Sequence, residues 1–384
     1  MREVAVAGIG LVKFGRYDGM KGRPYKDVEE LGREVVVRVL QDADMEFRDI
    51  QAAFCGNVYA GMASGHRAIT LVGMTGIPIV NVENACSSST SALRLAYQEV
   101  AFGLYDAVLA MGFEKIPPGL LEDTSLPEWQ RYLGVNVFPA WYAMEAVRYM
   151  EDYGATEEDI ARLSVLERNN ATLNPNAMFF GQKVTHEEVM NSRYIAKPLR
   201  LLMCCANADG ASAIIVCSKD KLKSKNKTIT VAASVHATGT YGTHPPGGGS
   251  VRIKNPTCTE ISAEKAWEVS GYGPQDMDLF QAYGAMSSGV ITSTEDMGFC
   301  GRGEFPRLLK DGEFNIGGRI PLNTDGGLVG RGHPVGATGL AQVCEVVTQL
   351  RGAAGPRQIP GDPKTGLCHT EGAGPNSVIT ILKR

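Results

Sequence analysis

What most constrains this chain is a rhythm that occurs twice. Short apolar runs alternate with longer stretches whose apolar residues recur at helical spacing, on either side of a polar, basic segment at 219–227. In the first half the pattern predicts strands at 4–9, 52–58, 77–82 and 107–112, and helices at 28–40 and 87–102. In the second half it predicts strands at 229–235, 277–282, 366–369 and 377–382, and helices at 259–269, 288–297 and 338–350. Strands separated by helices imply a parallel or mostly parallel sheet with helices on its faces, an α/β fold. The repeat is faint in the letters themselves. Ser91-Ala92-Leu93-Arg94-Leu95-Ala96 and Thr338-Gly339-Leu340-Ala341-Gln342-Val343 open comparable helices, each just after a segment rich in reactive or glycine residues.

Two halves follow, 1–218 and 228–384, with 219–227 as a solvated linker. From 116 to 208 the rhythm breaks at Pro117, Pro118, Pro127 and Pro139. Helical patterns at 141–153 and 156–170 follow, the second opened by the capping-box-like Thr156-Glu157-Glu158-Asp159, before a strand resumes at 211–217. This stretch reads as a mostly helical insertion.

Composition excludes several classes. Apolar residues at 44% and charged residues at 21% rule out disorder as the main state. A net charge of -4 lacks the positive surplus that nucleic acid or an acidic membrane would call for. Nine scattered cysteines, several inside apolar runs such as Ile214-Ile215-Val216-Cys217, read as reduced thiols of a cytoplasmic protein. There is no Cys-x-x-Cys pair to suggest a zinc site, no signal-peptide-like start, and no apolar run of the about 18 residues a membrane span needs.

Three segments carry chemistry. In Asn84-Ala85-Cys86-Ser87-Ser88-Ser89, a cysteine ends a strand and precedes a helix. Free N–H groups at a helix start favour a thiolate, lowering its pKa, and can also hold an oxyanion. A buried cysteine at a tight turn is the equally weighted alternative. In Gly326-Gly327-Leu328-Val329-Gly330-Arg331-Gly332-His333-Pro334-Val335-Gly336-Ala337-Thr338-Gly339, one histidine sits among six glycines. Small residues let a ligand or a facing loop come close, and an imidazole is suited to take a proton from a thiol. No Gly-Lys-Ser/Thr follows, so this is not a P-loop. In Leu367-Cys368-His369-Thr370-Glu371-Gly372, a strand end delivers proton-active side chains into a glycine turn, where Cys368 or His369 is a candidate second acid/base.

Taken together, these segments resemble the thiolase superfamily over the whole chain. The specific matches are Gly332-His333-Pro334 with Gly336-Ala337-Thr338-Gly339, and the segment around Cys86. Asn174-Pro175-Asn176-Ala177, Ser192-Arg193-Tyr194-Ile195-Ala196-Lys197-Pro198-Leu199 and Asp209-Gly210-Ala211 place the likeness nearest the sterol-carrier-protein-like and archaeal-type branch. The resemblance implies a duplicated five-layered αβαβα fold with a homodimeric core. It implies Cys86 as the acylated nucleophile, His333 as its activator, and the N–H groups of Cys86 and Gly372 as an oxyanion hole.

Two motifs depart from the pattern. Tyr283-Gly284-Ala285-Met286 stands where the family carries Asn-Glu-Ala-Phe or His-Asp-x-Phe, so Tyr283 either keeps the donor role or lines a reshaped acyl pocket. With the glycine of the terminal Cys-x-Gly motif placed on Gly372, Thr370 takes the cysteine's place and His369 resembles the His-Asn-x-Gly version. His369 is therefore favoured over Cys368 as the second acid/base.

The resemblance further implies retro-Claisen cleavage of a 3-oxoacyl-CoA through an acyl-cysteine. CoA enters as a substrate, and no metal or redox cofactor is called for. The altered motif and the unusual loop at 241–251 point to a bulky or aromatic acyl group, such as 2-benzoylsuccinyl-CoA. A separate OB-fold chain carrying a zinc ribbon is the implied partner. The rival readings are a decarboxylating ketoacyl synthase and a catalytically silent acyl-CoA or lipid binder. Trp141, Tyr142 and Met144 read mainly as helix packing, Cys204-Cys205 as packing, and Arg193, Lys197 and Arg200 as a basic surface more than a phosphate site. His66, His186, His236 and His244 have no motif context.

Overall fold

The computed structural model describes residues 1–122, 126–222, 228–240 and 256–384. The loop at 241–251, His244 and the end of the segment at 219–227 lie outside the described residues.

Strand rhythm in the first half yields β1 (Val4–Leu11), β2 (Ala52–Gly56), β3 (Ile79–Val82) and β4 (Ala107–Glu114), interleaved with α1 (Val28–Ala43), α2 (Ser64–Thr70) and α3 (Ser88–Ala101). Between β4 and the returning strand stand α4 (Glu128–Tyr132), α5 (Phe138–Tyr153), α6 (Glu157–Ala171) and α7 (His186–Asn191). A small hairpin, β5 (Tyr194–Ala196) and β6 (Leu199–Arg200), completes this insertion, and β7 (Gly210–Ser218) rejoins the sheet. The second half adds β8 (Thr230–Thr238), α8 (Cys258–Ser270), β9 (Leu279–Gln281), α9 (Ser287–Asp296) and α10 (Phe305–Lys310). It ends in α11 (Thr338–Arg351), β10 (Thr365–Gly372) and β11 (Asn376–Lys383). The start of α6 is capped as its letters indicate: the Thr156 hydroxyl accepts the Asp159 N–H while the Asp159 carboxylate accepts the Thr156 N–H.

The sheet runs β3-β2-β4-β7-β1-β8-β11-β10-β9. Outward from the β1/β8 contact, β7-β4-β2 on one side mirrors β11-β10-β9 on the other. The pairing types agree as well: β4/β7 and β10/β11 are antiparallel, β2/β4 and β9/β10 parallel. The duplication that two short helix openings only hinted at is thus a two-fold relation between half-sheets. The expectation of a mostly parallel sheet needs correction. Three of the eight pairings are parallel and five antiparallel. A strand–helix–strand passage enforces parallel neighbours, but β10 and β11 form a tight hairpin, and the long insertion returns β7 beside β4 in the opposite sense.

Helices α1 and α2 cover the outer face of the first half-sheet, α3 and α11 lie side by side in the middle, and α8 covers the second half-sheet. These are five layers, αβαβα. The continuous apolar letters of β4 and β7 follow from burial on both faces. Leu109, Met111 and Phe113 of β4 pack with Ala211, Ala213 and Ile215 of β7 against α1, while Val108, Ala110, Ile214 and Val216 face the central helices. At the crossing of α3 and α11 a Cβ on Gly339 would stand 2.6 Å from Thr90 Cγ2, so the two helices meet through a missing side chain.

Candidate active site

Cys86 sits between the end of β3 and the start of α3, in a turn held from several sides. Ala85 adopts φ +48°, uncommon for a residue with a side chain, and its N–H donates to Glu83 Oε1 at 2.8 Å. The Ser88 hydroxyl donates to the Ala85 carbonyl, and Ser87 reaches Asn376 on β11. The Asn84 amide lies 2.9 Å from Ser91 Oγ and 3.3 Å from His236 Nε2, so His236 braces this turn. Gly372 closes over it: a Cβ there would fall 2.6 Å from the Asn84 carbonyl and 2.9 Å from Ser87 Oγ. Glycine is required at that position because two chain segments touch.

His333 arrives from the other half. Its N–H donates to the Ala206 carbonyl, and Nδ1 lies 2.7 Å from Thr338 Oγ1. The Thr338 hydroxyl donates to the Pro334 carbonyl at 3.0 Å, which assigns the ring proton to Nδ1 and leaves Nε2 bare. That lone pair faces the Tyr283 hydroxyl at 3.4 Å, and Tyr283 is hydrogen-bonded to Cys86 in turn. Tyr283 thus stands between thiol and imidazole, and it also lines the cavity. Both roles left open by the sequence are compatible with this position.

The terminal segment is sorted by strand alternation. Cys368 and Thr370 of β10 face α11: Cys368 is packed among Leu340, Val343 and Cys344, and Thr370 bonds to Gln342. His369 and Glu371 face α8. Neither Cys368 nor His369 is on the cavity wall. The buried His369 ring accepts the Tyr283 N–H at Nδ1, 3.3 Å, and meets Thr259 Oγ1 with Nε2 at 3.1 Å. As placed, it pins the backbone of Tyr283, whose hydroxyl meets the other histidine.

The cavity measures ≈ 460 Å³. Cys86, Tyr283, His333 and Gly372 lie on its wall with Phe138, Trp141, Tyr142 and Glu371. Sequence reasoning read Trp141 and Tyr142 mainly as packing, yet both also face this space; Met144 points outward, 44% exposed. Cys204 and Cys205, read as packing, line it too. Arg193 is at the rim, whereas Arg200 is paired with Glu157. Glu114, unmentioned by any motif, accepts N–H groups from Val58, Tyr59 and Gly336 and ties the histidine loop to the first half-sheet.

Two expectations change. Burial pushes the Cys86 thiol up to about 11, outweighing the Tyr283 hydrogen bond, so the helix start does not hold it as a thiolate. Burial, aided by the Arg331 charge, lowers His333 to about 3, so the imidazole is neutral. Both partners rest uncharged. Iodoacetamide alkylation of Cys86 is therefore expected to climb about tenfold per pH unit from about pH 7 to about pH 10 with no shoulder. A plateau beginning near neutrality would show a preformed thiolate. The glycines of the histidine loop admit facing chain, one of the two purposes read for them. Gly326 and Gly330 abut Ala171 of α6, so they admit a helix in place of a ligand.

Five layers built by duplication, with a cysteine of one half and a histidine of the other on the wall of one cavity, suit an acyl-transferring enzyme. Comparison with known proteins agrees. Residues 4–220 match the family model described as thiolase, N-terminal domain, and residues 252–384 that described as thiolase C-terminal domain-like. An acetyl-CoA acetyltransferase of Methanothermobacter thermautotrophicus is 39% identical, covering 100% of both chains. The benzoylsuccinyl-CoA thiolase subunit BbsB of Thauera aromatica is 36% identical over 97% of this chain and 95% of its own. Sterol carrier protein 2 of Bos taurus is 34% identical over 99% of this chain and 72% of its own. A solved structure described as the Ltp2-ChsH2(DUF35) aldolase superposes with a TM-score of 0.85 at 27% identity, covering 99% of this chain and 97% of that one. The chain belongs to the thiolase family, and it is an acyltransferase of that family. Among the described residues no helix is long and apolar enough to cross a membrane.

Proposed function

We propose that the protein cleaves a 3-oxoacyl-CoA with CoA by retro-Claisen chemistry. The observation that carries this is the Cys86–Tyr283–His333 chain opening onto one cavity. His333 Nε2 takes the thiol proton, relayed or admitted by the Tyr283 hydroxyl, as the sulfur attacks the 3-oxo carbon. The N–H groups of Cys86 and Gly372 hold the oxyanion. The C2–C3 bond breaks, the acyl-CoA enolate leaves and is protonated, and CoA then lifts the acyl group from Cys86. The thioester already stabilises the carbanion, so neither metal nor redox cofactor is needed.

A bulky or aromatic acyl group suits the aromatic wall of Phe138, Trp141 and Tyr142, and the likeness to a benzoylsuccinyl-CoA thiolase subunit supports it. A homodimeric core and a separate OB-fold partner chain remain part of this reading. Purified chain that is fully active alone would argue against a need for the partner.

The test is intact-protein mass spectrometry after brief exposure to acetoacetyl-CoA, benzoylacetyl-CoA and 2-benzoylsuccinyl-CoA, with the products analysed in parallel. The expected result is an acyl adduct on Cys86 and two CoA thioesters, formed fastest from an aryl substrate. Far faster cleavage of acetoacetyl-CoA would end the aryl assignment. Retro-aldol chemistry, the activity named for the solved neighbour, is a second reading favoured by the phenol at the centre of the site. A retro-aldol needs a 3-hydroxyacyl-CoA, so this reading is tested with the 3-hydroxy counterparts of the same thioesters: Cys86 would stay unmodified, and one thioester and an aldehyde or ketone would form. Condensation dependent on malonyl-thioesters would indicate a ketoacyl synthase, and binding without any product a silent homologue.

A further inference from the structure

We infer that Glu371 is the second acid/base of this site, the group that protonates the departing enolate at C2 and afterwards takes the proton of the incoming CoA thiol. The inference rests on the retro-Claisen reading above. Three observations support it. Glu371 is the one carboxylate on the described cavity wall, beside Gly372 and on the same wall as Cys86, Tyr142 and Tyr283. The two sequence candidates are engaged elsewhere: Cys368 faces α11 in the core, and His369, on the same face as Glu371 but off the cavity wall, has both nitrogens occupied by Thr259 and the Tyr283 N–H. The carboxylate is held in a defined place, with the Cys258 thiol at the start of α8 donating to Oε1 at 3.7 Å.

The protons balance through one cycle. Glu371 begins as the acid, His333 neutral and Cys86 as the thiol. The thiol proton passes to His333 while the sulfur bonds to C3; the C2–C3 bond breaks, its electron pair goes to C2, and the Glu371 proton follows it. The first acyl-CoA leaves with Glu371 ionised and His333 protonated. The CoA thiol then gives its proton to Glu371 and attacks the Cys86 thioester. Departing Cys86 sulfur recovers its proton from His333, and all three groups are restored. A carboxyl group suits both duties, because protonated it can donate to carbon and ionised it can accept from a thiol.

The experiment measures three quantities on wild type, Glu371→Gln and Glu371→Asp: turnover, deuterium uptake at C2 of acetyl-CoA and succinyl-CoA in D2O, and alkylation of Cys86 by iodoacetamide. Glutamine keeps the shape and loses the proton. It is expected to lower turnover and C2 exchange by ~10²–10⁴-fold while alkylation stays within about twofold of wild type. Aspartate keeps a carboxyl one methylene shorter and is expected to fall between the two. Turnover and exchange in Glu371→Gln within about threefold of wild type would overturn the assignment. Should circular dichroism show the glutamine variant unfolded, the aspartate variant decides: reduced exchange with intact alkylation supports the role, and unaltered exchange overturns it. A wild-type protein that neither exchanges nor cleaves any of the three 3-oxoacyl-CoAs would instead overturn the retro-Claisen reading, and this role with it.

Discussion

Cys86→Ala is expected to lower turnover by ~10⁴–10⁶-fold and to abolish the acyl adduct, with no loss of stability. The size of the effect follows from the cavity: among its described wall residues, only Cys86 pairs a nucleophilic sulfur with the Tyr283–His333 chain. The unchanged stability follows from the way the turn is built. Its rigidity comes from the Ser87 bond to Asn376, the Ser88 bond to the Ala85 carbonyl, and the Asn84 amide, none of which uses the sulfur. The thiol is also neutral at rest, so removing it strands no charge. Steady-state turnover, intact mass after substrate exposure and a urea unfolding curve test the prediction together. Residual turnover within tenfold of wild type would exclude covalent catalysis, and a large drop in the urea midpoint would mean that the sulfur is a packing group.

Arg331→Met is expected to destabilise the protein by ~3–5 kcal/mol, read as a lower urea midpoint. Arg331 is fully buried two residues before His333 and ion-paired with Asp325, which is itself 1% exposed. The Asp325 carboxylate also accepts the Gly327 N–H at 3.0 Å. Truncating the arginine leaves that carboxylate buried with too few partners, and the cost is the desolvation of an uncompensated charge. The double variant Arg331→Met/Asp325→Asn should recover a large part of the loss, since the uncompensated charge is then gone. Equal midpoints for wild type and the single variant would show that water enters the site. The same pair organises the loop that carries the imidazole, so turnover should fall together with stability.

The legibility of this fold depended on element length. Helices α1, α3, α6 and α11 repeat their apolar letters over several turns and are plain from spacing, with ends shifted by a residue or a few. The short helices α2, α4, α7 and α10 and the β5–β6 hairpin are too brief for any period to declare itself. Strand direction departs from expectation because a succession of strands and helices does not show where a hairpin or a long insertion reverses the next strand. The expected thiolate failed for a related reason: the helix start is written in the letters, but the water excluded around it is not.

Within the site, Cys86 and His333 could be found in the letters because each is bound to a local backbone demand, a strand-to-helix turn and a Gly-His-Pro loop, whereas Gly372 came only with the family resemblance and its contact with Asn84 and Ser87 joins distant segments. For the first two the chemistry and the geometry that presents it lie within a few neighbouring residues, and a linear reading suffices. The placement of Tyr283 between sulfur and imidazole, the withdrawal of His369 to pin that tyrosine, and the presence of Glu371 on the wall come from segments about 40 to 290 residues apart packing together. Adjacent residues of a strand point to opposite faces, so whether His369 or Thr370, Cys368 or Glu371 meets the substrate depends on which layer lies on each side of β10. That is decided by tertiary packing alone.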